Sequence, residues 1–384
     1  MDFSFSEEQD QFRGQVRQFL EATSSEAVVR EQMETERGFD AAVWSAMAEQ
    51  LGLQGLIIPE ELGGQGFGFV ELALVLEEMG RVLLCAPYFS TVVLAVSALL
   101  ESRDDAAKAA LLPAIAAGEI RATLALAEPS GRWDESGIEA VARRDGASWK
   151  ISGTKLYVLD GHTADVVLLA ARSGAGVSLF RVAGNAAGLV RTPLTVLDRT
   201  RKQARLELDD VEATLVGTDG EGWSVLSRVL DLAAVALAAE QVGGAQKCLD
   251  LAVAYAKERV QFGRPIGSFQ AIKHKCADML LEVESARSAA YYAAWQAVDQ
   301  TDELPGVAAL AKAYCSDAYC HAASENIQIH GGIGFTWEHP AQLYFKRAKS
   351  SDLLFGDAGY HRELLARRIG ISDSPRMAAG SGAA

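Results

Sequence analysis

The chain has 384 residues, 49% hydrophobic and 23% charged, enough to bury a full core in two or three subdomains of a globular protein. A formal net charge of −15 argues against nucleic acid or an anionic membrane as a partner, because both reward clustered Lys and Arg. The five cysteines Cys85, Cys248, Cys276, Cys315 and Cys320 form no C-x-x-C pair, which argues against a zinc site and predicts free thiols in a reducing compartment.

Met1–Asp2–Phe3–Ser4 lacks the basic start of a signal peptide, and no apolar run is expected to span a membrane, so a cytoplasmic location is expected. Ser6–Glu7–Glu8–Gln9 reads as a capping box, with Phe12, Val16, Phe19 and Leu20 continuing the apolar face of a first helix. Trp44, Met47, Ala48 and Leu51 mark another. Leu56–Ile57–Ile58–Pro59 reads as a short extended piece, and a Gly-rich loop at 63–68 leads into a helix from Val70 to Arg81. Helices at about 90–101 and 104–117 complete an N-terminal helical region, 1–118.

Near Glu119 the period changes. Thr123–Ala127 reads as a strand running into Glu128–Pro129, and further strands are predicted at 138–144, 148–158, 165–171, 177–182, 189–192 and 204–208. A small β-barrel or sandwich over 119–221 follows from this spacing. From Gly222 the pattern is helical again, with apolar faces at 229–253, 271–298, 304–330 and 338–349, giving a C-terminal helical region 222–371 and a small, polar tail, 372–384, expected to be mobile. The aromatic group Tyr291, Tyr292 and Trp295 follows helical spacing and reads as core or subunit interface.

Two stretches within that region suit a ligand. Arg259–Val260–Gln261–Phe262–Gly263–Arg264–Pro265–Ile266 joins two long helical runs, about 224–258 and 268–298. Arg259 offers a planar fork of donors, Gly263 permits close backbone approach, and Ser268 reads as an N-cap exposing free N–H groups to an anion. Gln328–Ile329–His330–Gly331–Gly332–Ile333–Gly334–Phe335 ends a third helical run, where three glycines in four residues let backbone press against a flat or phosphorylated ligand. His330 could touch ribose or phosphate, although a lone histidine there also reads as a packed residue.

Together, Arg-x-x-Phe-Gly-x-Pro-Ile and Gln-x-x-Gly-Gly-x-Gly-Phe resemble the acyl-CoA dehydrogenases, with Leu62–Gly63–Gly64–Gln65–Gly66, Ala127–Glu128–Pro129 and Ala348–Lys349 as supporting matches from about residue 5 to 370. The resemblance implies an α+β fold in three parts, an N-terminal helical domain, a central β-domain and a C-terminal four-helix bundle that builds a tetramer. It also implies FAD as cofactor, an acyl-CoA thioester as substrate, and an electron-transfer flavoprotein as acceptor. In that family a carboxylate removes the proton beside the thioester while a hydride passes to the flavin.

Several positions depart from the family pattern. Phe355 occupies the usual place of the base, and Asp357 stands where the family has a Thr on the flavin. The alternative base position on the preceding helix matches Ala233, with the adjoining arginine replaced by Ala234. Glu240, seven residues on, lies on nearly the same face but roughly 10 Å further along, and is the candidate relocated base. Its competing reading is a buried acid paired with a cation.

Around the flavin, the family's hydroxyl is lost at Ala127, its Gly-Ser pair becomes Arg132–Trp133, and its Trp-Ile-Thr becomes Tyr157–Val158–Leu159. The retained positions, Arg259, Phe262, Gln270, Gln328, Gly331 and Gly332, are those that clasp the adenosine and pyrophosphate half of a neighbour's FAD. This division resembles one subunit of the heteromeric acyl-CoA dehydrogenases of actinobacterial steroid breakdown, with a paralogous chain supplying flavin contacts and base. A self-sufficient homotetramer using Glu240, and a scaffold subunit without catalysis, are the alternatives.

Overall fold

The structure is a computed structural model describing residues 5–299 and 301–371; the tail 372–384 and the first four residues lie outside the described residues. Helix α1 (Glu7–Thr23) starts on the expected capping box, with Gln9 N donating to Ser6 Oγ at 3.2 Å and Ser6 N to Gln9 Oε1 at 2.9 Å. Helix α2 (Glu26–Glu34) follows, a short element that the sequence pattern does not announce. Helix α3 (Ala41–Leu51) is capped by Asp40 and ends on left-handed Gly52.

Leu56–Pro59 is not extended. Leu56 is right-handed helical, and Ile58 N donates to Gly55 O at 3.0 Å, so the segment continues the 3-10 turn Leu53–Gly55. A tight turn buries Leu56, Ile57 and Ile58 together, where a half-buried strand would have turned one of them out. Helix α4 (Phe69–Val82) comes next. The predicted helix at 90–101 is two pieces, π-helical turns over Phe89–Val96 running into α5 (Ser97–Glu101), before α6 (Asp105–Ala116).

The central strands are β1 (Ala122–Ala125), β2 (Val141–Asp145), β3 (Ser148–Leu159), β4 (Val166–Arg172), β5 (Val177–Ala183), β6 (Leu189–Pro193) and β7 (Gln203–Val216). Antiparallel pairings run β4–β5–β7–β3–β2, and a single parallel pair, Val141 with Arg172, joins β2 back to β4. The ring is thereby closed into the expected small barrel, filled by Trp149, Ile151, Val167, Leu169, Phe180 and Leu206. Strand β7 is far longer than the predicted 204–208, because a register shift beside left-handed Asp210 carries the strand past two acids that read as a turn.

The C-terminal region holds α7 (Gly222–Glu258), a two-residue hairpin β8 (Val260–Gln261) and β9 (Arg264–Pro265), α8 (Gln270–Asp299), α9 (Leu304–His330), α10 (Ala341–Leu353) and a further short helix α11 (Ala358–Arg368). Helix α8 begins two residues beyond Ser268, so Ser268 is not its N-cap; it lies in a 3-10 turn with its hydroxyl oxygen buried and unpartnered among the described residues. Contrary to expectation, α7 is long and apolar enough to cross a membrane by length and composition. Its residues from Leu232 to Ala245 are buried in the core against α4, α8 and α9.

Candidate active site

Helices α7 and α9 end, and α8 begins, at the same end of the bundle, so the two glycine-containing stretches meet there. Tyr255, in the last turn of α7, stacks on His330 of α9 with ring centroids 4.3 Å apart. The hairpin tip at Phe262 and Gly263 takes φ of 55° and 76°, a left-handed pair that closes a two-residue turn and throws Phe262 outward, 90% exposed. Arg259, Gln270, Gln328, Gly331 and Gly332 are exposed at this same end. A Cβ built on Gly331 or Gly332 would meet nothing within 4 Å, so the backbone there lies open to a ligand. His330 does not reach that surface: it is buried, its Nδ1 is 2.8 Å from Asn326 O, and His339 packs against its other side.

At the other end of α10, a pocket of about 410 Å³ opens between the barrel and the bundle, lined by Ala127, Trp133, Tyr157 and Leu197 from one side and Lys349, Leu353 and Leu354 from the other. Its walls are largely apolar. Phe355 lies immediately behind, buried, parallel to Phe89 at 5.9 Å and edge-on to Trp133 at 5.4 Å. Leu159 is buried as well, and its carbonyl is taken by the Thr123 hydroxyl at 2.6 Å. Asp357 is engaged in its own helix: its carboxylate accepts from Tyr360 N at 2.7 Å and caps α11.

Glu240 is buried on α7 with both oxygens engaged. Oε1 accepts from Arg347 Nη1 at 2.8 Å, and Oε2 accepts from Arg201 Nη2. Arg347, itself buried, also donates to Asp198 Oδ2 and to Thr200 Oγ1, each at 2.6 Å, knitting the β6–β7 connection to α7 and α10. Burial alone would push the Glu240 carboxyl up, but the charges of Arg201 and Arg347 outweigh it and hold the carboxyl below the usual range. A carboxylate so placed is a weak base, and Glu240 is not among the residues that line the pocket.

The turn carrying Phe355 is held from beneath. Lys312, fully buried, donates to Ser316 Oγ (2.9 Å), Asp352 O (3.0 Å) and Gly356 O (3.1 Å), which uses all three ammonium hydrogens. His361 Nε2 lies 3.1 Å from Phe355 O. Burial pulls Lys312 down to about 8 and His361 down to about 3. On the barrel side, Lys155 Nζ meets Glu128 Oε1 at 2.5 Å in a second buried pair, and Glu128 also accepts from Glu139 N at 2.8 Å.

Residues 6–119 match the acyl-CoA dehydrogenase N-terminal domain, and residues 220–370 match the acyl-CoA dehydrogenase C-terminal domain. The acyl-CoA dehydrogenase IpdE2 of Mycobacterium tuberculosis is 36% identical over 94% of this chain and 96% of its own length. The chain belongs to the acyl-CoA dehydrogenase family. Among solved structures, a steroid ACAD variant named Tcur3481–Tcur3483 is 32% identical with a TM-score of 0.87, over 95% of this chain and 98% of that one. The ChsE4–ChsE5 complex of Mycobacterium tuberculosis is 28% identical with a TM-score of 0.89, over 97% of this chain and 100% of that one.

Acyl-CoA dehydrogenases are FAD-dependent oxidoreductases, and the two ends of this chain suit that cofactor unequally. The open glycine backbone and exposed Arg259 fit a pyrophosphate-bearing ligand. The pocket beside Leu159 and Ala127 lacks side-chain hydroxyls at the positions where the family meets the ring, and Gln203, Lys349 and Ser350 are the polar side chains among its lining residues apart from the Tyr157 phenol. Sequence reasoning missed Lys312, His361, Arg201 and Arg347. Lys312 was findable as a lone cation within the apolar run Val307–Ala313; the others carry no local signal.

Proposed function

We propose that this chain is the partner half of a heterotetrameric, FAD-dependent acyl-CoA dehydrogenase that desaturates the α,β bond of an acyl-CoA thioester. In this reading Arg259, Phe262, Gln270, Gln328, Gly331 and Gly332 clasp the adenosine and pyrophosphate end of an FAD whose ring and general base belong to a paralogous subunit. When bound, FAD accepts the hydride that leaves the acyl chain.

The observation that carries the proposal is Phe355. The family's base position holds a hydrocarbon ring packed between Phe89 and Trp133, and the nearest relocated candidate, Glu240, spends both oxygens on arginines. A base needs an open lone pair within hydrogen-bond reach of the substrate proton, and neither residue provides one. Two of the structural relatives are pairings of differently named chains, one of them a steroid ACAD, which supports a mixed tetramer and makes a bulky steroid acyl-CoA the proposed substrate class. An electron-transfer flavoprotein is the proposed acceptor, and the cytoplasm the proposed location.

The test is expression with and without a paralogous partner subunit, followed by the flavin spectrum and the FAD-to-chain ratio. The expected result is a colourless chain alone and one FAD per two chains in the mixed tetramer. A yellow homotetramer with one FAD per chain that desaturates acyl-CoA overturns the proposal. A mixed tetramer without flavin would leave the chain a scaffold.

A further inference from the structure

Phe355 has a backbone φ of +61°, a left-handed conformation that aromatic residues rarely adopt. Such a conformation persists only where surrounding structure fixes it. Here Lys312 holds the carbonyls of Asp352 and Gly356, and His361 approaches that of Phe355, so two buried basic side chains hold three carbonyls of one turn. The ring they present forms a contact series with Trp133 at the pocket wall and Phe89 on the far side. Phe89 is in turn fixed from behind, where the Arg201 guanidinium lies over its ring at 5.1 Å, anchored by Glu240. Phe89 comes from the π-helical turns, whose residues are all buried, so it has little room to swing aside.

We infer that Trp133, Phe355 and Phe89 form an aromatic stopper that closes this subunit's own acyl slot, so that the chain excludes a thioester substrate and the assembly's substrate sites lie only on its partner. The inference rests on the proposed partner role and adds to it: a missing base would leave a silent but fillable site, whereas a stopper leaves none. The stopper acts by occupying volume. Removing its members one at a time should therefore open a path from the 410 Å³ pocket toward Phe89 and Arg201.

The experiment counts binding sites on the purified assembly, with FAD content measured on the same samples. The probe is 3-thiaoctanoyl-CoA, whose sulfur replaces the β-methylene so that no hydride can leave. Phe355→Ala is expected to add one probe site per copy of this chain relative to wild type, with no gain in turnover on octanoyl-CoA. Because a buried Phe→Ala change can impair folding, Trp133→Ala, at a half-buried position, provides a second opening and is expected to add a weaker site. The partner's sites alone give one probe per copy of this chain in wild type; wild type already binding two per copy overturns the inference, as does a folded Phe355→Ala and Trp133→Ala pair that gains none. An FAD-to-chain ratio of one would instead overturn the partner role, whatever the probe count, so the two failures are distinguishable.

Discussion

Glu240 Oε1 and Arg347 Nη1 lie 2.8 Å apart, one residue on α7 and the other on α10, both sealed from solvent. That contact favours the reading of Glu240 as a buried, paired acid. A carboxylate that must take a proton from a substrate needs a raised pKa and an open face, whereas Arg347 and Arg201 lower the one and cover the other. Glu240 is thus proposed as the hub of a buried ion network, coupling the barrel to the bundle.

Glu240→Gln should therefore act on stability and not on chemistry. Breaking one partner of a buried charge network leaves the arginines uncompensated and costs roughly 3–5 kcal/mol. Denaturant unfolding should show that loss, while turnover of the mixed tetramer, measured well below the transition, stays within about twofold of wild type. A selective collapse of kcat with unchanged stability would restore Glu240 as a base.

At the nucleotide end, Gly332→Ala offers a clean probe. The added methyl meets nothing within 4 Å inside the chain, so the fold should tolerate it within about 0.5 kcal/mol, the range of neutral surface changes. A ligand pressed against that backbone would not tolerate it. The FAD content of the assembly should fall at least tenfold at limiting cofactor, with melting of the cofactor-free protein unchanged.

His361 predicts an acid sensitivity. Its folded-state value near 3 is depressed from 6.5 by burial first and then by Lys312, so the unfolded chain takes up a proton that the native state refuses. The stability this group contributes is present above about 6.5 and is lost as pH falls toward 3. Between pH 7 and pH 5 the loss amounts to about 2 kcal/mol, and His361→Gln should remove that part of the slope in urea unfolding.

Lys312 gives the complementary case. Burial depresses it to about 8 from 10.5, so the unfolded chain binds more protons between those values and the wild type gains stability as pH rises through them. Lys312→Met has no such gain. The stability gap between the two proteins should widen by about 1.5 kcal/mol from pH 8 to pH 9.5, read from paired denaturation curves.

The architecture was legible from periodicity because helices and strands are written locally. The α–β–α order and the capping box at Ser6 rest on residues within a few positions of one another. What escaped was long-range. The partners of Arg347 lie 149 and 107 residues away, so no local window contains them. Strand β7 was cut short because Asp209–Asp210 looks like a turn until β3 is beside it. Ser268 reads as a cap from its neighbours alone, whereas the 3-10 turn Ile266–Ser268, with Ile266 packed against the buried bundle residues, displaces the start of α8.

Eighteen residues of unbroken helix separate Glu240 from Arg259, the residue that caps α7, a rod of roughly 28 Å. The corner and the aromatic wall thus sit far apart on one polypeptide, which fits the proposal that a cofactor held at the corner meets its ring contacts on another chain. In the proposed assembly each copy therefore holds one end of a shared cofactor and completes no site by itself. Dissociation to the monomer should abolish flavin retention even where every chain stays folded.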